Sequence, residues 1–206
     1  MEAKRYFVPT PYGEVSLVFA HKPRDEVTVI IHGAGRRAFQ LRSWLVHDVV
    51  LAELPGHDLA PMMEGDLSTY AQAYQAALAH VWPDRPLTIV GESLGGLVAL
   101  QMAGRIVAVD PPLEPTPSVE TELRVGFVAE WLKPPLRVEH WELIDRLDHP
   151  VDVICPTRSI LPAAAIERLA NHPMVRLSVV EGGHVLLDDS PEAIASILRG
   201  EVKLKA

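Results

Sequence analysis

The chain is short of cysteine. Cys155 is the single one among 206 residues, so no disulfide can form within it, and the reducing cytoplasm is the expected compartment. No apolar run approaches the ~18 residues that a membrane-spanning helix needs, and the opening MEAKRYFVPTPYGEV carries no apolar core of a secretory leader. Neither a membrane span nor a membrane partner is therefore expected. No block of lysine and arginine stands out, and the formal net charge is −8, which speaks against nucleic acid or an anionic surface as a partner. The nine histidines are scattered, with no HExxH and no CxxC, so metal-ligand spacing is missing and neither a metal nor a cofactor is expected. Internal repeats and low-complexity tracts are lacking too. What is there suits one globular domain: 48% of the residues are hydrophobic and 22% charged, enough to fill a core and too apolar for disorder.

The order of elements is regular. Two short strands flank a turn at Pro11–Gly13, and VTVII (Val27–Ile31) reads as a buried strand running into a glycine-rich turn. A short helical piece around Phe39–Leu45, a strand over Asp48–Glu53 and a helix over STYAQAYQAALAHVW follow, with Ser68 or Asp66 as its N-cap. LTIV is the next strand, LGGLVALQMAG the next helix, and Arg105–Asp110 a strand again. Strands alternating with helices predict a mostly parallel sheet with helices on both faces. The stretch 111–149, rich in proline at its edges and carrying Trp131 and Trp141, interrupts the rhythm and reads as a small helical insertion. VDVICP resumes the sheet, PAAAIERLA is a helix, VRLSVV the last strand, and SPEAIASILRG the closing helix, with Ser190 as N-cap and Pro191 at its first position.

Three motifs fall at ends of strands. Gly91-Glu92-Ser93-Leu94-Gly95 follows LTIV and opens a helix. A serine on so sharp a turn needs small flanking residues, and the turn lifts its hydroxyl above the carboxyl edge of the sheet. The helix N-terminus then points its amides at the reacting centre, and the Leu94 N–H becomes one oxyanion donor. His32-Gly33-Ala34-Gly35 follows VTVII, where a glycine-rich turn aims a second N–H into the same place, that of Ala34 or Gly35. His184 follows the last strand and two glycines, which suits a general base for Ser93.

Taken together, HGAG, ELPGH (Glu53–His57), GESLGG and GGH resemble the α/β-hydrolase superfamily over nearly the whole chain. The resemblance implies an α/β-hydrolase fold with 111–149 as a short lid, Ser93 as nucleophile, His184 as base, and the Leu94 and Ala34 amides as oxyanion hole. It is similar to the small, lidded branch of esterases, thioesterases and C–C hydrolases, and implies a small-molecule ester or thioester as substrate. No sequence feature specifies an oligomer.

The third member of the triad is absent from its usual turn, where Pro156-Thr157-Arg158-Ser159 puts Ser159 in the acid's slot. Three readings stand open: Asp110 at the end of the preceding strand, a lid carboxylate (Glu114 or Glu139), or no acid at all. Asp188 and Asp189 follow His184 closely and are assigned to the start of the last helix, and Asp152 to a pairing with a lid or surface cation. Glu92 is expected to be solvated or hydrogen-bonded near the elbow, His57 to hold its loop, Arg36 and Arg37 to be solvated at a helix start, and Cys155 to pack as a small hydrophobe. Phe127, Trp131 and Trp141 either line an acyl pocket or pack the lid. Two rival functions remain. A C–C hydrolase for a diketone-like substrate would use Arg36 or Arg37 to hold a carboxylate, and a non-catalytic binding protein would keep the fold with a decayed triad.

Overall fold

The computed structural model describes residues 3–23, 25–125 and 130–201. Its centre is an eight-stranded sheet: β1 (Lys4–Thr10), β2 (Gly13–Phe19), β3 (Val27–Ile31), β4 (Val50–Glu53), β5 (Leu87–Glu92), β6 (Arg105–Val109), β7 (Val151–Pro156) and β8 (Val175–Val180). The spatial order is β1-β2-β4-β3-β5-β6-β7-β8. β2 is antiparallel to both its neighbours and every other pair is parallel. The helices are α1 (Leu67–Val81), α2 (Leu94–Ala99), α3 (Pro117–Val125), α4 (Trp141–Asp145), α5 (Ala163–Ala170), α6 (Leu186–Asp189) and α7 (Pro191–Leu198).

The central strands are continuously apolar because successive side chains enter two different cores. Val29, Ile31, Ile89, Ile106, Ala108 and Val153 pack on one face with residues of α1, α2 and the β6–β7 insertion. Their neighbours Ile30, Val90, Val107, Val109 and Ile154 face the other way, onto the 3-10 helix Ala38–His47, α6 and α7. This is the expected α/β-hydrolase fold, with helices on both faces of a mostly parallel sheet.

Some local expectations change. The helical piece at Phe39–Leu45 is a longer 3-10 run, Ala38–His47. It ends at Asp48 in a left-handed conformation (φ 56°), which delays β4 to Val50. Asp66, rather than Ser68, caps α1 by accepting the Thr69 N–H at 2.9 Å. α2 stops at Ala99, short of the expected Gly104. Gly104 itself (φ +128°) passes so close to β5 that a Cβ there would meet the Leu87 carbonyl at 2.6 Å. Ser190 precedes α7 as expected, but its hydroxyl donates to the Glu181 carbonyl at 2.6 Å instead of capping the helix. Among the described residues no helix is long and apolar enough to cross a membrane.

The sheet order places a crevice. After β3 the chain adds β4 on one side, then crosses back to add β5 on the other. Connections that leave two adjacent parallel strands in opposite directions open a cleft at their carboxyl ends. The turns that follow β3 and β5 are His32–Gly35 and the one carrying Ser93.

Candidate active site

Ser93 sits at φ 54° and ψ −121°, a conformation that costs an L-residue roughly 1–3 kcal/mol and persists only where its surroundings impose it. The surroundings here are backbone. A Cβ on Gly91 would stand well inside contact distance of the Gly95 carbonyl, and one on Gly95 would strike the carbonyls of Ile31 and His32. The Ser93 N–H donates to Val109 O on β6 at 2.8 Å, and Ser93 O accepts from Gly96 N at 2.8 Å. The elbow is thus squeezed between β3 and β6 at the start of α2, and Leu94, fully buried, is the first residue of that helix.

The turn after β3 lies directly beside it. A Cβ on Gly33 would be 3.1 Å from Ser93 Cβ and 3.7 Å from its Oγ, so the backbone of His32–Gly35 borders the serine, with Ala34 next along. Two buried histidines hold this turn. His32 Nδ1 lies 2.8 Å from Gly33 O, and its Nε2 stands 3.0 Å from both Leu54 N and the buried Glu53 Oε1. His57 Nε2 accepts the Gly35 N–H at 3.3 Å, which leaves its Nδ1 proton for Pro55 O at 3.2 Å. The bond from Gly35 requires a neutral His57 imidazole. Burial first, and then His32 nearby, hold His57 below the ordinary histidine range. His57 therefore keeps more than its own loop: it reaches across to the turn after β3. Because Gly35 N–H is spent on His57, Ala34 is the better of the two expected oxyanion donors.

The open question of the acid is narrowed by geometry. His184 Nδ1 lies 2.7 Å from Asp110 Oδ2. Asp110 is fully buried and follows β6 in a left-handed conformation (φ 44°). Its N–H donates to Ile154 O at 2.8 Å, locking the turn to β7. The same carboxylate accepts the Ile160 N–H at 3.2 Å on Oδ2 and the Ser159 hydroxyl on Oδ1. Ser159 Oγ accepts the Leu161 N–H in turn at 2.9 Å. The residue standing in the usual acid slot thus serves the carboxylate next door. Glu114 is occupied elsewhere, accepting Trp141 Nε1–H at 2.8 Å, and Glu139 is exposed.

Several bland expectations are corrected here. Arg36 is not solvated: it donates to Glu92 Oε2 at 2.7 Å and to Asp188 Oδ2 at 2.6 Å. Arg37 is exposed. Glu92 is fully buried; burial pushes its carboxyl above the ordinary range while the Arg36 guanidinium pulls it back. Asp188 and Asp189 do not serve the closing helix. Asp188 pairs with Arg36, and Asp189 folds back to accept the Gly183 N–H at 2.7 Å. Their sequence neighbourhood alone gave no sign of Arg36, 152 residues away. Asp152 pairs with Arg105 at 3.3 Å and Arg176 at 2.7 Å, surface cations as expected. Cys155 is buried in the core. Trp141 is buried under the Arg168 guanidinium, 4.0 Å from its ring centroid, whereas Trp131 reaches over Gly56. Phe127 lies outside the described residues. Among the described residues, no three His, Cys, Asp or Glu side chains stand close enough together to hold a metal ion.

A strained serine elbow at the switch point of this sheet, with the buried Asp110 after β6 paired to His184 after β8, defines the α/β-hydrolase class. The chain belongs to the alpha/beta hydrolase family, whose profile matches residues 28–149. It is similar in structure to naproxen esterase (carboxylesterase NP) from Bacillus subtilis, with a TM-score of 0.76 and 14% identity over 98% of this chain and 92% of that one. An esterase from Pyrococcus furiosus gives a TM-score of 0.75 and 18% identity over 97% and 88% of the two chains. The thioesterase domain from the curacin biosynthetic pathway gives 0.71 and 14% over 97% and 100%. No curated protein matches the sequence.

Proposed function

We propose that the protein is a serine hydrolase that cleaves carboxylic esters or thioesters of small to medium acyl groups through an acyl-enzyme on Ser93. The observation that carries this reading is the 2.7 Å contact between His184 Nδ1 and the buried Asp110 carboxylate, at the sheet edge that also bears the strained serine. The carboxylate holds the Nδ1–H tautomer, which makes Nε2 the nitrogen that takes a proton. The Ser93 hydroxyl gives its proton to His184 Nε2 as Oγ attacks the carbonyl carbon. The Leu94 and Ala34 amides stabilise the oxyanion, each worth about 3 kcal/mol in comparable sites. The imidazolium then protonates the leaving alcohol or thiol. In the second half, His184 takes a proton from water, hydroxide attacks the acyl carbon, and Ser93 leaves with the proton returned. The stretch 111–149 acts as the lid over this centre, supported by Trp131 lying across the Gly56 loop. Similarity to esterases and a thioesterase supports the same substrate class.

The C–C hydrolase reading loses Arg36 as its cation, because both ends of that guanidinium are engaged by protein carboxylates, and it keeps only the exposed Arg37. The test is labelling by a fluorophosphonate probe together with burst kinetics on short p-nitrophenyl esters. Wild type should label and show a burst, and Ser93→Ala should do neither. A folded wild type that does neither would leave a binding protein as the better reading.

A further inference from the structure

Three segments converge on the proposed centre: the turn after β3, the elbow, and the loop carrying His184. Their backbones come from residues 33–36, 91–95 and 182–189, and one charged group touches all of them. Arg36 closes its own turn through its N–H to Gly33 O at 3.3 Å. Its guanidinium donates from one terminal nitrogen to Glu92, the residue before Ser93, and from the other to Asp188, four residues after His184. Glu92 adds a second tie, since its other oxygen accepts the Leu187 N–H at 3.0 Å. Outside these three segments, Trp44 Nε1–H on the 3-10 helix also holds the loop, donating to Leu187 O at 3.0 Å.

We infer that Arg36 is a positioning residue, which fastens the His184 loop to the nucleophile elbow and the oxyanion turn through Glu92 and Asp188. The inference rests on the hydrolase reading for its catalytic consequence, but the fastening itself is geometric. A carboxylate buried to 0% exposure is expensive to keep, and a well-packed apolar residue in its place is often neutral or better for stability. What an apolar residue lacks is direction. The planar guanidinium fork fixes two acceptors at once, which a single ammonium cannot do in that geometry. The Arg36–Asp188 arm has one partner 49% exposed, so it adds little to global stability. It instead holds the loop's orientation, to which a base that must meet the serine hydroxyl within about an ångström is sensitive.

The test uses the full chain as Asp188→Asn, Arg36→Lys and Arg36→Met, with two readouts. The first is amide hydrogen exchange across 183–189, where the Leu187 N–H reports the Glu92 tie directly. The second is kcat and KM for p-nitrophenyl acetate. In Asp188→Asn the segment should exchange about fivefold faster, the size of a partly exposed ion pair, with protection in the central strands unchanged. Its kcat should fall about tenfold with KM within twofold, and Arg36→Met should lose about a hundredfold in kcat. Arg36→Lys should lie between Arg36→Met and wild type. Arg36→Met leaves Glu92 buried without its cation and is at risk of not folding; Asp188→Asn keeps both Arg36 and Glu92 and decides the matter if it does. Unchanged exchange in Asp188→Asn overturns the fastening. Faster exchange with unchanged kcat overturns the positioning role and leaves a merely structural tie. A wild type that takes no fluorophosphonate label refutes the hydrolase reading and with it the catalytic half of this inference, while the exchange result still decides the fastening.

Discussion

Asp110→Asn is the most informative single substitution. The carboxylate takes hydrogen bonds from His184, Ile160 and Ser159 in a fully buried position. An asparagine of the same shape offers one oxygen and one NH2 group to the same three donors. If its oxygen faces His184, the Nδ1–H tautomer survives but the imidazolium loses its counter-charge. If its NH2 faces His184, Nδ1 must accept, the proton moves to Nε2, and the base is blocked. Either orientation removes what a triad acid supplies, so kcat should fall by about a thousandfold to ten-thousandfold. That corresponds to roughly 4 to 5.5 kcal/mol of transition-state stabilisation. Because the loss lies in the transition state, KM for p-nitrophenyl acetate should change little. A second substitution sharpens the test. Ser159 already touches Asp110 Oδ1, so Asp110→Asn with Ser159→Asp returns a carboxylate to the same pocket from the turn after β7. The double variant should regain about tenfold or more over Asp110→Asn. Ser159→Asp alone puts two carboxylates in contact at a buried site, which raises the pKa of one and destabilises the fold. Stopped-flow burst kinetics with thermal melting as a folding control decides it. An Asp110→Asn protein that melts like wild type and keeps kcat within threefold refutes the assignment of the acid.

Other perturbations follow from the same geometry. Gly95→Ala should fail to fold or lose all labelling, because its Cβ would strike the consecutive Ile31 and His32 carbonyls at the end of β3; a soluble, labelled Gly95→Ala protein would contradict this. Burial, with Asp110 nearby, pushes the Cys155 thiol up to about 12, so it should resist Ellman's reagent in mildly alkaline buffer until denaturant exposes it. His57 has a folded pKa depressed below its unfolded value of about 6.5. Between the two values the unfolded chain binds more protons, so the contribution is intact above about pH 6.5 and is lost as pH falls through the folded value. Urea unfolding across that window should show wild type losing stability on acidification and His57→Gln losing less; equal slopes would remove His57 from the account.

The sequence announces the parts of this centre that backbone sterics dictate. Gly91 and Gly95 are needed because carbonyls occupy the space a Cβ would take, so the elbow around Ser93 is written in glycine and readable without coordinates. The same logic marks the turn at Gly33, and continuous apolar runs mark the central strands, since strands buried on both faces must be apolar throughout. Asp110 was readable only as one of three alternatives, beside a lid carboxylate and no acid at all, because an aspartate ending a strand before Pro111-Pro112 has the same local signature whether it caps a turn or meets a histidine. The closed fold supplies both contacts: Val109 pairs with Ile154 on β7, which brings the Ser159–Ile160 turn onto the carboxylate, and the loop after β8 brings His184 to it. Arg36 is a harder case still. Next to Arg37 at the start of a helical run it has every local mark of a solvated cation, and its partners Glu92 and Asp188 are separated from it by 56 and 152 residues. A guanidinium declares its role only when the chain has closed around it, which is why short-range reading finds the groups proposed to react here and misses the one inferred to hold them in register.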